Sequence, residues 1–243
     1  MKKYTNEENQ QFREELTATM NEDTILWMQD RMQEYKTLMT YYRCAMMEIE
    51  TKFRVLDEEL SAKNRRNPIV SIKTRLKTLD SIRKKLEKQG NPITLDSVVE
   101  NINDVAGVRV VCTFESDVYE IVSSLIMQDD VTIISKKDYI KEPKTNGYRS
   151  LHLVVSIPIF LAKEKREVKV EIQLRTIAMD IWASLEHEIC YKKENEIPFE
   201  LRKELYECSN LSALLDERMN SIYRRSVERS YIIKPKKAKQ ITI

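Results

Sequence analysis

Apolar residues recur every three or four positions between residues 23 and 63. They run Ile25, Met28, Met32, Tyr35, Leu38, Met39, Tyr42, Met46, Ile49, Phe53, Leu56 and Leu60. No glycine or proline interrupts them. The spacing predicts one long amphipathic helix, or two nearly continuous ones, broken at Asn67-Pro68. Its methionine-rich stripe reads as packing surface rather than a cofactor box, because flexible thioethers fill irregular core gaps. Beyond the proline the period changes. Residues 69–77 alternate as a strand, and 78–88 return to helical spacing with Gly90 as the stop. A short helix follows over 94–101, with Thr94 as its N-cap. The apolar run 106–114 is expected to be a buried strand, 117–127 a helix and 131–135 a strand, while 150–157 and 167–176 alternate as strands. Helical spacing resumes over 177–194, and Pro198 opens a last helix reaching about residue 225.

The sum is an α+β chain: a β-rich middle of roughly five strands, interspersed helices, and long helical arms at both ends. It divides into an N-terminal helical arm (1–66), a core (67–195), a C-terminal helix (196–228) and a basic tail (229–243) expected to be disordered.

Composition narrows the setting. With 243 residues a sizeable core is affordable. A third of the residues are charged, yet the net charge is only +2, so general affinity for nucleic acid is not implied. Cys44, Cys112, Cys190 and Cys208 have no zinc or redox spacing and read as free, buried thiols in a reducing cytoplasm. No apolar run is long enough to span a membrane, and no signal peptide is visible. Only Gly90, Gly107 and Gly147 are glycines, which excludes a Walker loop and a dinucleotide-binding fingerprint. Any phosphate must be held by side chains and helix N-termini.

Three segments offer such side chains. Alternation through residues 72–77 puts Lys73, Arg75 and Lys77 on one face, and the following helix adds Ser81 and Lys85 one turn apart. Asp104 enters the buried strand, where Arg109 needs a partner or a planar ligand. In the strand 168–175, Lys169, Glu171, Gln173 and Arg175 share the face opposite the apolar one. A fourth segment, 137–152, gathers Lys137, Lys144, Tyr148 and His152 around an Asn146-Gly147 turn. Each pattern alone also fits a solvated sheet face; together they fit a nucleotide site.

These motifs resemble the synthetase motifs of the RelA/SpoT family: Arg75-x-Lys77 with Ser81 and Lys85, Asp104-x-Ala-Gly-x-Arg109, Lys137-Asp-Tyr-Ile, Pro143-Lys-x-Asn-Gly-Tyr-Arg-Ser-Leu-His152 and Glu171-Ile-Gln-x-Arg-Thr176. Met179-Asp-Ile-Trp-Ala-Ser-Leu-Glu-His187 with Tyr191-Lys192 resembles the small single-domain branch, the small alarmone synthetases. Thr78-Leu79-Asp80, Val70-Ser71 and Thr145 depart from the usual residues without removing a group that carries a role.

The resemblance implies a mixed sheet of nucleotidyltransferase-like type and a cytoplasmic enzyme of the stringent response. Such an enzyme transfers the β,γ-pyrophosphate of ATP to the 3′-hydroxyl of GDP or GTP. It implies that Arg75 and Arg109 sandwich adenine and that Lys77, Ser81 and Lys85 hold the ATP phosphates. Asp104 and Glu171 would bind Mg²⁺, with Glu171 also available as base and Gln173 orienting the acceptor. Tyr148 would stack on guanine, while Lys137, Lys144, Asn146 and His152 hold the acceptor nucleotide. It further implies a homo-oligomer, most simply a tetramer, with single-stranded RNA as a further candidate partner. No His-Asp pair is present, so alarmone hydrolysis is not expected. Two alternatives stay open: a toxin-like pyrophosphotransferase acting on tRNA 3′ ends or adenine nucleotides, and a non-catalytic nucleotide- or RNA-binding regulator.

Overall fold

A computed structural model describes residues 22–64, 66–190 and 197–232. The elements run α1 (Glu22–Asn64), β1 (Ile69–Leu76), α2 (Leu79–Gln89), α3 (Leu95–Asn101), β2 (Ala106–Cys112), α4 (Glu115–Ile126), β3 (Thr132–Asp138), β4 (Leu151–Phe160), β5 (Lys165–Thr176), α5 (Ile177–Cys190) and α6 (Phe199–Ile232). This is the α+β arrangement expected. The five strands form one mixed sheet in the order β1-β2-β5-β4-β3, parallel only between β2 and β5.

The long helix forms because its inner stripe has a sheet to cover. Met39, Tyr42, Met46, Ile49, Phe53, Leu56 and Leu60 are buried at alternating three- and four-residue steps. They join Val108, Val110, Leu151, Leu153, Ile172 and Leu174 from one face of the sheet in a single core. Each such side chain contributes about 1.5–3 kcal/mol on burial. With α1 covering that face, the polar residues at alternate positions of the strands are left to line the other.

Local signals set the shorter elements. Thr78 caps α2 by accepting from the Ser81 amide, and Gly90 closes it at φ 72°, with its own amide bonded to Glu87 O and that of Asn91 to Leu86 O. Thr94 caps α3 as expected. Lys169 then donates to the carbonyls of Val99 and Glu100, a cation on the α3 C-terminus that fixes the start of the loop carrying Asp104.

Several boundaries differ from the sequence reading. β3 continues to Asp138 and β4 to Phe160, because hydrogen bonding to the neighbouring strand carries polar residues that no hydrophobic alternation marks. α6 continues past residue 225 to Ile232, since nothing in that stretch breaks a helix. The first residues of the supposedly disordered tail, 229–232, are therefore helical; the remainder, residues 1–21 and 191–194 lie outside the described residues. All four cysteines are free, but only Cys112 is buried. Cys208 is exposed on α6, one position before the inward-facing Ser209.

Candidate active site

The strand registers line up one polar row across the whole sheet. Lys73 pairs with Arg109, Arg109 with Gln173, Gln173 with His152, and His152 with Lys137. Two residues along each strand, a second row runs Arg75, Gly107, Glu171 and Val154. Because side chains alternate with period two, both rows lie on the face opposite α1. Gly107 stands between Arg75 and Glu171 and keeps the space between them open.

A cleft of about 620 Å³ opens over these rows, lined by Lys73, Arg75, Lys77, Ser81, Asp104, Gly107, Arg109, Glu171 and Gln173 among others. At one end Asp104 accepts from Lys77 Nζ at 2.6 Å and from Lys85 Nζ at 2.8 Å. Burial alone would raise the Asp104 carboxyl, but those two ammonium donors outweigh it and hold it below the ordinary carboxylate range. Ser81 Oγ lies 2.8 Å from Thr78 Oγ1 in the first turn of α2, which points its N-terminus at the same place. Arg109 is 3.5 Å from Asp180. Its guanidinium is shifted down by burial first and then by the charge of Arg175.

The other end is a network centred on Arg175, only 4 % exposed. Arg175 Nη2 donates to Tyr148 Oη at 2.7 Å and to Gln173 Oε1 at 3.1 Å, while Nη1 donates to Asp180 Oδ1 at 3.1 Å. With its carbonyl taken, Gln173 turns its amide nitrogen to Glu171 Oε2 at 2.9 Å. The Tyr148 hydroxyl, accepting from Arg175, shares a second hydrogen bond of 2.8 Å with His152 Nε2. His152 Nδ1 faces Glu171 Oε1 at 3.9 Å. Burial, followed by the positive charges of Lys144, Arg175 and Lys137, lowers His152 to about 4 and keeps it neutral at physiological pH.

The structure thus brings together Arg75, Lys77, Ser81, Asp104, Arg109, Glu171 and Gln173 in one cleft, with Lys85 bonded to Asp104 at its end, and with Tyr148 linked to Glu171 by hydrogen bonds through Arg175 and Gln173. Lys137 pairs in register with His152 at the sheet edge. Lys144 Nζ sits 4.8 Å from the Tyr139 ring centroid and 4.9 Å from that of Tyr148. A purine stacking on Tyr148 would share that aromatic surface with the ammonium. Asn146 stands apart: its side chain shapes the turn by accepting from the Tyr148 amide and donates to Glu186 at 3.3 Å. It borders a different cavity, about 830 Å³, between that turn, α5 and α6. This cavity is larger than the cleft, but its lining has a single carboxylate, Glu186, beside Arg202 and Lys203, where the cleft has the pair Asp104 and Glu171.

Two important residues escaped the sequence reading as site residues. Arg175 was placed on the correct face of its strand, but its centrality arises from partners on three elements. Asp180, in the first turn of α5, lies within the Met179-to-His187 motif, but that resemblance assigns it no role in the site.

A metal would find two carboxylates here, Asp104 and Glu171, both lining the cleft. Among the described residues no group of three or more histidine, cysteine or acidic side chains gathers to hold a metal. A two-carboxylate set fits Mg²⁺, which ordinarily takes one or two protein carboxylates and completes its shell with water and substrate phosphates.

Comparison with known proteins settles the family. Residues 74–196 match the model described as a region found in RelA/SpoT proteins. The chain is 44% identical over 191 residues to the GTP pyrophosphokinase YwaC of Bacillus subtilis (strain 168), covering 79% of this chain and 91% of that protein. The chain belongs to the RelA/SpoT family, in its small alarmone synthetase branch. Small alarmone synthetase 2 from B. subtilis superposes with a TM-score of 0.72 at 43% identity, over 79% of this chain and 99% of that one. Small alarmone synthetase 1 from the same organism, in a structure bound to its product pppGpp, gives 0.72 at 33% identity over 79% and 98%. The family match spans β1 from Thr74 through α5, and so includes both rows of the cleft apart from Lys73.

Proposed function

We propose that this chain is a synthetase of ppGpp and pppGpp, moving the β,γ-pyrophosphate of ATP to the ribose 3′-hydroxyl of GDP or GTP. The observation that carries the reading is the position of Glu171. It lines the same cleft as Lys77, Ser81 and Asp104, and on its other side its Oε1 lies 3.9 Å from His152 Nδ1. In this reading Arg75 and Arg109 hold adenine, while Lys77, Lys85 and Ser81 hold the ATP phosphates. Tyr148, His152, Lys137 and Lys144 hold the guanine nucleotide.

The reaction forms a bond between the acceptor 3′-oxygen and the β-phosphorus and breaks the bond from the α–β bridging oxygen to that phosphorus, so AMP leaves. Glu171, oriented by Gln173, takes the hydroxyl proton. Lysine ammonium groups neutralise the charge that accumulates on the transferring group. Asp104 and Glu171 would hold Mg²⁺, which supplies charge neutralisation on the phosphates when bound. Substrate phosphates would compete with Asp104 for Lys77 and Lys85.

Ile177, Ile181, Leu185 and Ile189 recur every four residues along α5, each between 43 and 58 % exposed. That stripe supports a homo-oligomer, for which the tetramer is our reading. Among the described residues no helix is long and apolar enough to cross a membrane. A cytoplasmic enzyme, with 67–195 as its catalytic unit flanked by the helices α1 and α6, completes the proposal. ATP offered in parallel with GDP, GTP, ADP and tRNA tests it. Guanosine 3′-pyrophosphates and AMP are expected from the guanine nucleotides alone; product on ADP or tRNA instead would overturn it.

A further inference from the structure

The turn that carries the acceptor residues is closed upon itself. Gly147 N donates to Lys144 O at 2.8 Å, Lys144 N to Tyr148 O at 3.1 Å, and Tyr148 N to Asn146 Oδ1 at 3.1 Å. These bonds fix its shape, while its side chains reach outward, Asn146 to Glu186 and Tyr148 to Arg175 and His152. Its backbone is held in addition by a contact from α6. Ser209, 4 % exposed, donates its hydroxyl to Gly147 O. The approach is close enough that a Cβ at position 147 would stand 2.7 Å from Ser209 Cβ and 3.3 Å from Tyr206 Cδ2. Gly147 also has φ 91°, a conformation that favours glycine, so this position is fixed both by backbone and by its neighbour on α6. The helix lies beyond residues 74–196, the part of the chain that the family model matches.

From this clasp we infer that Ser209 is a positioning residue for the guanine-nucleotide half of the site, locating the 144–148 turn so that Lys144 and Tyr148 face the acceptor. The inference rests on the proposed acceptor role of that turn. Its consequence is asymmetric. The ATP half, built from β1, α2 and β2, meets the turn at one remove, through Arg109, Asp180 and Arg175, so loss of the clasp falls on acceptor binding. Without its donor the buried Gly147 carbonyl loses a hydrogen bond, and the turn drifts from its place.

Steady-state kinetics on purified Ser209→Ala protein tests this, with Asn220→Ala and Tyr148→Ala beside it. Asn220 accepts from Ser116 and ties α6 to α4 away from the turn, so it reports loosening of the helix as such. Ser209→Ala is expected to raise the KM for GDP or GTP about tenfold, the equivalent of one buried hydrogen bond. The KM for ATP should stay at its wild-type value, and Asn220→Ala should leave both unchanged. A wild-type guanine KM in Ser209→Ala overturns the inference. So does an equal rise for both substrates, or an equal rise in Asn220→Ala, since either marks a merely structural role. Tyr148→Ala keeps the two readings distinguishable: if its guanine KM is unmoved, the acceptor assignment itself falls.

Discussion

Arg175 has a planar fork that meets three acceptors at once, Tyr148 Oη, Gln173 Oε1 and Asp180 Oδ1. A lysine keeps the charge but presents a single ammonium, which cannot hold all three in their present directions. The orientation of Gln173, and through it of Glu171, depends on that fork. We expect Arg175→Lys to lower kcat/KM about 100-fold, the effect of misplacing reacting groups by roughly 1 Å, while the protein remains folded. Kinetics with a parallel thermal melt checks this; near-wild-type turnover would remove Arg175 from the account. Most other site residues were legible because strand alternation alone assigns Lys73, Arg75, Arg109, Glu171 and Gln173 to one face. Asp180 and the hub role of Arg175 were not, because they depend on how α5 leaves β5. Asn146 was legible as a turn residue, and the structure gives it that work rather than a place in the cleft.

At the scale of elements, α6 is tied to the end of β5 by Thr176 Oγ1, which donates to Asp216 Oδ2 at 2.6 Å and itself accepts from the Met179 amide. Burial raises the Asp216 carboxyl, partly opposed by the Thr176 hydrogen bond. The folded state therefore holds this proton more firmly than the unfolded chain. Between the ordinary carboxylate value and the raised one, stability falls as pH rises, and the penalty persists at neutral pH. Asp216→Asn keeps the acceptor without the charge. Thermal denaturation should show it more stable than wild type at pH 7, with the difference vanishing below the ordinary carboxylate range. A variant that is less stable at pH 7 would contradict this. The helix ends show what pattern can give: Thr78, Gly90, Thr94 and Pro198 mark theirs through specific backbone chemistry. The C-terminal end of α6 and the extension of β3 through Lys136, Lys137 and Asp138 have no such marker. The latter is a polar edge strand, recognisable only from its pairing with β4.

For the whole molecule, periodicity gave the class and the number of strands, but not the order β1-β2-β5-β4-β3 or the single parallel pair. That order places β5 centrally, between β2 with Arg109 and β4 with His152, so the proposed base stands where the two nucleotide halves meet. The exposed α5 stripe belongs to this scale as well. Light scattering should give a multiple of the 28.8 kDa chain mass, and Leu185→Glu, a charge placed within the stripe, should lower it. A monomer at all concentrations would refute the oligomer.

The central claim is that Glu171 performs proton abstraction between an ATP half and a guanine half of one cleft. The most direct test is turnover of ATP with GDP or GTP and Mg²⁺ by wild-type and Glu171→Gln protein, with nucleotide binding measured on both. The expected result is one AMP per guanosine 3′-pyrophosphate from wild type, and a loss of about 100-fold or more in Glu171→Gln with both nucleotides still bound. Undiminished turnover by Glu171→Gln would contradict the account.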